Sequence, residues 1–225
     1  MNRYGVRDLE EFRARLADLR LELSAPTRAG PYTGYTDGAC FGNPQGPGGW
    51  AAAVFPSEGG GQWLLFGHLS STSNNRAEAL GVLAALEWIP DGSTLVLHSD
   101  SELTIRILQE RYKVKANTDI WDLIRETIRS KRLTLEPQWV RGHAGDPLNE
   151  LADRLSKIGA ENGRIEDLNL RIAVEPPEPL DLAGISPANQ WERDFVASVK
   201  DQLRRGRSLS PKQQAVLDRI RARGS

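Results

Sequence analysis

Four acidic side chains stand where a carboxylate could do more than face water. Asp37 closes a strand-like run and is followed by five glycines within twelve residues, in GYTDGACFGNPQGPGGW. Asp100 closes the apolar, β-branched run STLVLHS and precedes a helical pattern. The carboxyl ends of strands in sheets flanked by helices are where ligands usually bind. Glu78 lies in the first turn of the helical segment NNRAEALGVLAALEWI, with Val82, Ala85 and Ile89 following on the same face. Its carboxylate therefore opens the apolar face, and a carboxylate aimed at a core needs a partner or a metal. Asp153 lies off the face made by Leu148, Leu151, Leu155 and Ile158. Each has an ordinary alternative: a turn or cap aspartate for Asp37 and Asp100, a capping box of Asn75 with Glu78, a solvated surface residue for Asp153. Singly, they do not decide what they do.

The elements that must position them are legible in outline. Residues 6–23 place Val6, Leu9, Phe12, Leu16, Leu19 and Leu23 at helical spacing, which predicts an amphipathic helix of about four or five turns. The connector SAPTRAGP follows. Strand-like runs at 32–37, 49–55 and 62–69 are separated by Gly-rich turns, the pattern of an antiparallel meander. A helix over 74–89, closed by Pro90, leads into a buried parallel strand over 93–99. Helical patterns at 101–111 and about 118–131, a strand over 133–140, and a helix capped by Asp146 with Pro147 at its first position complete the order βββαβααβα. That order implies an α/β fold, a mixed sheet covered by helices.

The organisation reads as an N-terminal helix and connector (1–30), a central domain (31–165), a linker (166–188) that is proline-rich in EPPEPLDLAGISPA, and a tail (189–225). In the tail Trp191, Phe195, Val199 and Leu203 recur every four residues, and Ser210-Pro211-Lys212-Gln213 forms a capping box, so a basic helical hairpin is expected. No internal repeat is present.

Composition narrows the classes. Of 225 residues, 39% are hydrophobic and 26% charged, a soluble globular balance. The one cysteine, Cys40, excludes a disulfide within the chain and favours a reducing, intracellular setting. With three histidines beside it, zinc sites of the Cys/His type are nearly excluded. No apolar run approaches a membrane span, and the N-terminus lacks the apolar core of a signal peptide, so a cytoplasmic location is expected. The net charge of −1 is uneven: residues 1–30 carry six basic and five acidic groups, residues 31–188 carry 14 and 21, and residues 189–225 carry nine and four. An acidic middle beside a basic tail bears on partners.

The local contexts decide what the carboxylates singly do not. TDGACFGNPQGPGG, TSNNRAEALGVLAALE, LHSDSE and WVRGHAGDPLNELAD resemble, in order and wording, the motif series of ribonuclease H, type I, of the bacterial kind, over about residues 32–162. The resemblance implies a five-stranded mixed sheet, three antiparallel strands then two parallel, flanked by helices. It implies an endonuclease that cuts the RNA strand of an RNA–DNA hybrid and leaves 5′-phosphate and 3′-hydroxyl ends. The family's catalytic carboxylates fall on Asp37, Glu78, Asp100 and Asp153. Phosphodiester cleavage needs an activated water and a stabilised leaving oxygen, which two divalent ions about 3.5–4 Å apart supply. Mg²⁺ prefers such oxygen donors, and Mn²⁺ should substitute. Asp37 would bridge the ions, with Asp100 and Glu78 completing one site and Asp153 the other. Clustered carboxylates repel, so raised pKa values are expected before metal binds. His143 matches the family's mobile-loop histidine, a proton carrier at neutral pH rather than a ligand. Asn43, Asn74 and Asn75 match minor-groove contacts that sense 2′-hydroxyls, and Ser73 and Asn117 match, more weakly, the pocket for a DNA phosphate.

The sequence also departs from the family. Glu102 stands where glutamine is common, and only QERYKVKANTDIW fills the space of the basic protrusion found in many bacterial members. Phosphate neutralisation by the acidic domain is therefore weak, which leaves the basic hairpin 189–225 as a candidate grip on nucleic acid or on a protein partner. Three other readings stay open: a nuclease of the same fold with a different nucleic-acid substrate, a non-catalytic binding module on that scaffold, and a structural adaptor whose terminal helices matter more than its core.

Overall fold

The computed structural model describes residues 7–58, 61–164, 187–204 and 211–224. Val6, the proline-rich stretch up to residue 186 and Ser210 lie outside the described residues. The chain divides into two compact units, Met1–Arg171 and Ile172–Ser225.

In the first unit the elements are α1 (Arg7–Glu22), β1 (Pro31–Cys40), β2 (Gly46–Pro56), β3 (Trp63–Thr72), α2 (Asn74–Trp88), β4 (Thr94–Ser99), α3 (Glu102–Leu108), α4 (Thr118–Ser130), β5 (Thr134–Trp139) and α5 (Pro147–Ala160). The five strands run β3-β2-β1-β4-β5. β1–β2 and β2–β3 are antiparallel, while β1–β4 and β4–β5 are parallel. This is the mixed sheet expected from the order of elements. The meander is longer than the apolar runs suggest. β1 continues through Gly38, Ala39 and Cys40, pairing with Trp50, Gly49 and Gly48, and the glycines leave room for one helix over Gly38 and another over Gly49.

The core lies mainly on one face of the sheet. Trp50, Ala52, Val54, Leu65 and Leu69 meet α2 and α4 there, through Leu80, Leu83, Ile120 and Ile124. α1 joins the same cluster through Phe12, Leu16 and Leu19, and Phe12 packs edge-on against Trp50 at 5.0 Å. α1 also bonds to β3, one of the sheet's two edge strands. Arg15 Nε donates to the Phe66 carbonyl at 3.3 Å, and Glu11 accepts from the Ser70 N–H at 2.8 Å and its Oγ at 2.7 Å. α5 covers the opposite face, burying Leu151, Ala152 and Leu155. Its start is the one foreseen: Asp146 accepts from the N–H groups of Leu148 and Asn149, with Pro147 at the first position.

The second unit contains α6 (Gln190–Arg204) and α7 (Pro211–Gly224). Val196, Val199, Leu217 and Ile220 form its small core, and Arg223 pairs with Glu192. Of the predicted stripe, Val199 is buried in this core and Phe195 packs against it, while the side chain of Leu203 lies outside the described residues. Trp191 is 62% exposed and stacks on Phe195 at 5.5 Å.

Candidate active site

Parallel pairing of β1 with β4 ends at Tyr35↔His98. Asp37 and Asp100 each stand two residues beyond that pair, so they lie at the same level, where β4 ends and β1 continues paired with β2 alone. Both are half-buried. α2 brings Glu78 to this point because its backbone rests on β1. A Cβ at Gly38 would lie 2.2 Å from the Glu78 nitrogen, so glycine is what lets the helix sit there. α5 delivers Asp153 from the other face.

Each carboxylate has a local partner. Ser156 Oγ donates to Asp37 Oδ2 at 2.8 Å, and Asn149 Nδ2 donates to Asp100 Oδ2 at 3.2 Å. Lys157 Nζ pairs with Asp153 Oδ2 at 2.8 Å. Glu78 Oε2 accepts from Ser101 Oγ and, at 3.2 Å, from Thr104 Oγ1. The capping box of Asn75 with Glu78 does not form. Ser73 is the cap residue, its side chain makes no cap bond, and Glu78 reaches forward to α3 instead. The hydroxyls at the α3 start are the nearer donors once the sheet brings the two helices together.

The electrostatics mark these groups as a set. Burial pushes the Asp37 carboxyl up to about 6, against hydrogen bonds from Ser156 and the Gly38 N–H, with repulsion from Asp100 and Asp153 adding to the rise. Burial pushes Glu78 up to about 7, opposed by Ser101 and Thr104 and helped by Asp37 and Asp100. Asp37 is thus coupled to all three others. Even so, among the described residues no three carboxylate, imidazole or thiolate groups are gathered tightly enough to enclose an ion. The arrangement is a loose ring of hard oxygen donors, each turned to a protein partner. The donor chemistry fits a hard divalent cation, which would draw the carboxylates inward and relieve their repulsion.

The loop from β5 to α5 lies against the ring. Gly142 is packed so closely that a Cβ there would come within 2.7 Å of Asp100 Oδ2, and Trp139 Nε1 donates to the Asp100 carbonyl at 3.1 Å. His143 follows, exposed and with φ +50°. On the α2 side, Asn43 Oδ1 accepts from the Asn74 N–H at 3.1 Å, which ties the glycine-rich turn to the helix start. Asn75 is exposed beside them. Asn117 caps α4 in the left-handed region. The exposed Glu102 pairs with Arg106 along α3. Sequence reasoning missed Ser156, Asn149, Ser101 and Thr104. Their signal is positional: Asn149 and Ser156 lie one turn either side of Asp153, and Ser101 directly follows Asp100.

Fold and donor set together define a carboxylate-bearing α/β protein of the ribonuclease H-like class. The sequence profile of the RNase H family matches residues 30–161. A ribonuclease H of Polaromonas naphthalenivorans is 39% identical over 140 residues, 56% of this chain and 85% of that one. A ribonuclease HI of Pseudomonas syringae pv. tomato is 37% identical over 143 residues, 58% of this chain and 92% of its own length. Among solved structures, the N-terminal RNase H domain of a Mycobacterium tuberculosis protein superposes with a TM-score of 0.51 at 22% identity, over 59% of this chain and 94% of that one. LC11-RNase H1 in complex with an RNA/DNA hybrid gives a TM-score of 0.50 at 26% identity, over 58% and 97%. The chain belongs to the RNase H family, of the bacterial type. The match leaves α1, α6 and α7 outside it.

Proposed function

We propose that this chain is a metal-dependent endonuclease that hydrolyses the RNA strand of RNA–DNA hybrids with two divalent ions, leaving 5′-phosphate and 3′-hydroxyl ends. The observation that carries the reading is the placing of Asp37 level with Asp100 just beyond the last β1–β4 pair, with Asp37 coupled to Glu78 and Asp153 as well. Asp37, Glu78, Asp100 and Asp153 would hold the ions, Asp37 being the natural shared ligand. When bound, a pair of Mg²⁺ or Mn²⁺ ions supplies an activated water and a stabilised leaving oxygen.

The chain's own residues do the rest. Ser156, Asn149, Ser101 and Thr104 hold the carboxylates in place by donating to them. Asn43, Asn74 and Asn75 present amides that both donate to and accept from 2′-hydroxyls, the group that distinguishes RNA from DNA. Ser73 and Asn117, each at the start of a helix, offer places for a phosphate of the DNA strand. His143, exposed and directly after the Gly142 that packs on Asp100, would pass protons to bulk water.

Cleavage of a labelled hybrid by the wild type and by Asp37→Asn, with and without Mg²⁺, tests the reading. Loss of cleavage on chelation and in the variant is expected. A wild type that leaves the hybrid intact, or a variant that cleaves as well, overturns it. We further propose that the basic hairpin α6–α7 adds electrostatic grip on nucleic acid, supported by its exposed Arg219, Arg221 and Arg223 and the exposed Trp191. Deleting residues 176–225 should raise the KM for hybrid at moderate salt, and an unchanged KM sinks the idea. We place the enzyme in the cytoplasm, in keeping with its single cysteine.

A further inference from the structure

α1 lies outside the span shared with the family, yet one of its side chains reaches the entry turn of α2. Asp8, in the first turn of α1, is 1% exposed and binds Arg76, also 1% exposed. Arg76 Nε and Nη2 donate to the two Asp8 carboxylate oxygens at 2.5 and 3.0 Å. Arg76 Nη1 and Nη2 donate to the two oxygens of Asp119, on α4, at 2.9 and 2.7 Å. Thr72 Oγ1 adds a bond to Asp8 Oδ2 at 3.4 Å. Two bidentate carboxylates thus grip one buried guanidinium, the strong geometry for this pair.

The neighbours of these residues matter. Thr72 directly precedes Ser73, Arg76 directly follows Asn75, and Asp119 stands two residues after Asn117. One buried cation therefore ties together the turn that carries Ser73, Asn74 and Asn75 and the start of the helix capped by Asn117. Asp119 and Thr72 lie within the matched span, whereas Asp8 comes from outside it.

We propose that Asp8 is a positioning residue for hybrid binding, acting through Arg76 to fix the entry turn of α2 against the start of α4. What is bound rests on the function proposed above; the coupling itself does not. A buried guanidinium that loses a carboxylate must regain its hydrogen bonds from water. Hydrating Arg76 draws the first turn of α2 towards solvent and misplaces its asparagines. Glu78 is held separately, by Ser101 and Thr104 of the α3 start, so the metal-binding carboxylate keeps its place. The consequence is a loss in substrate binding larger than the loss in turnover.

The test uses the full chain carrying Asp8→Asn, Asp8→Ala or, as a control, Leu16→Ala. Leu16 is buried on the same helix, about two turns beyond Asp8. Steady-state kinetics on a hybrid are measured well below the melting temperature of every variant, together with hydrogen exchange of the 72–78 segment. The Asp8 variants should raise KM about tenfold, the scale of one lost charge-assisted pair, with kcat within about twofold. Exchange over 72–78 should quicken in both. Leu16→Ala should lose stability yet leave KM and that exchange unchanged. Wild-type KM and exchange in Asp8→Asn, which keeps the shape and one acceptor, overturn the proposal, as does an equal rise in KM from Leu16→Ala. The exchange measurement needs no cleavage, so a wild type inactive on hybrid refutes the function without deciding the coupling.

Discussion

Asp37→Asn should make the metal-free protein more stable above neutral pH while it abolishes cleavage. The Asp37 carboxyl rises from its ordinary 3.8 to about 6 in the folded chain. Between those values the folded state keeps a proton that the unfolded state releases, so stability falls as pH rises through the window and the full cost is present above about 6. A rise of about two units corresponds to about 3 kcal/mol. Part of it comes from Asp100 and Asp153, whose repulsion salt screens, so a gain of about 1–3 kcal/mol is the working figure. Asparagine cannot ionise but still accepts from Ser156 Oγ, so the geometry is kept. For a chain of this size the gain raises Tm by roughly 3–10 °C. Thermal unfolding in chelator at about pH 8 and about pH 4 reads it, with the gain present at the first and absent at the second. Mg²⁺ at pH 8 should then stabilise the wild type more than the variant, by mass action on the intact site. A variant no more stable than wild type at pH 8, or equally favoured at both pH values, refutes the account of why Asp37 titrates high.

Other outcomes follow from the same geometry. Gly38→Ala places a Cβ 2.2 Å from the Glu78 nitrogen, so urea unfolding should show a loss of about 3 kcal/mol, with activity reduced in the fraction that folds. Lys157→Met removes the cation 2.8 Å from Asp153 Oδ2, and the Mg²⁺ concentration for half-maximal cleavage should fall about two- to fivefold; a rise would show that Lys157 does not compete with metal. Glu102→Gln removes an exposed negative charge from the start of α3, and KM for hybrid should fall about twofold at low salt and converge with wild type at high salt.

Much of the fold was legible because its signals are local. Proline and aspartate at the α5 start, the β-branched run of β4 and the glycine-rich turns each act over a few residues. The carboxylates were legible only as motifs in order, since nothing local distinguishes Asp153 from a surface aspartate. What could not be read were contacts that only the tertiary fold creates. Asn75 and Glu78 spell a capping box, but Ser101 and Thr104 arrive from 23 and 26 residues away and take Glu78. Asp8 and Arg76 are 68 residues apart, and no periodicity on either helix announces an ion pair.

The bonds from α1 to β3 carry a consequence for handling the protein. β3 is a ten-residue edge strand whose sequence WLLFGHLSST is largely apolar, the kind of border on which another chain can add a strand. Arg15 occupies the Phe66 carbonyl and Glu11 the Ser70 N–H, so α1 plugs both a backbone acceptor and a backbone donor of that strand. A truncated protein trimmed to the family-matched residues would keep every carboxylate of the site and lose both plugs. Its weakness would then be stickiness, with material lost to aggregates as the chain emerges and folds, before any defect in chemistry could be measured.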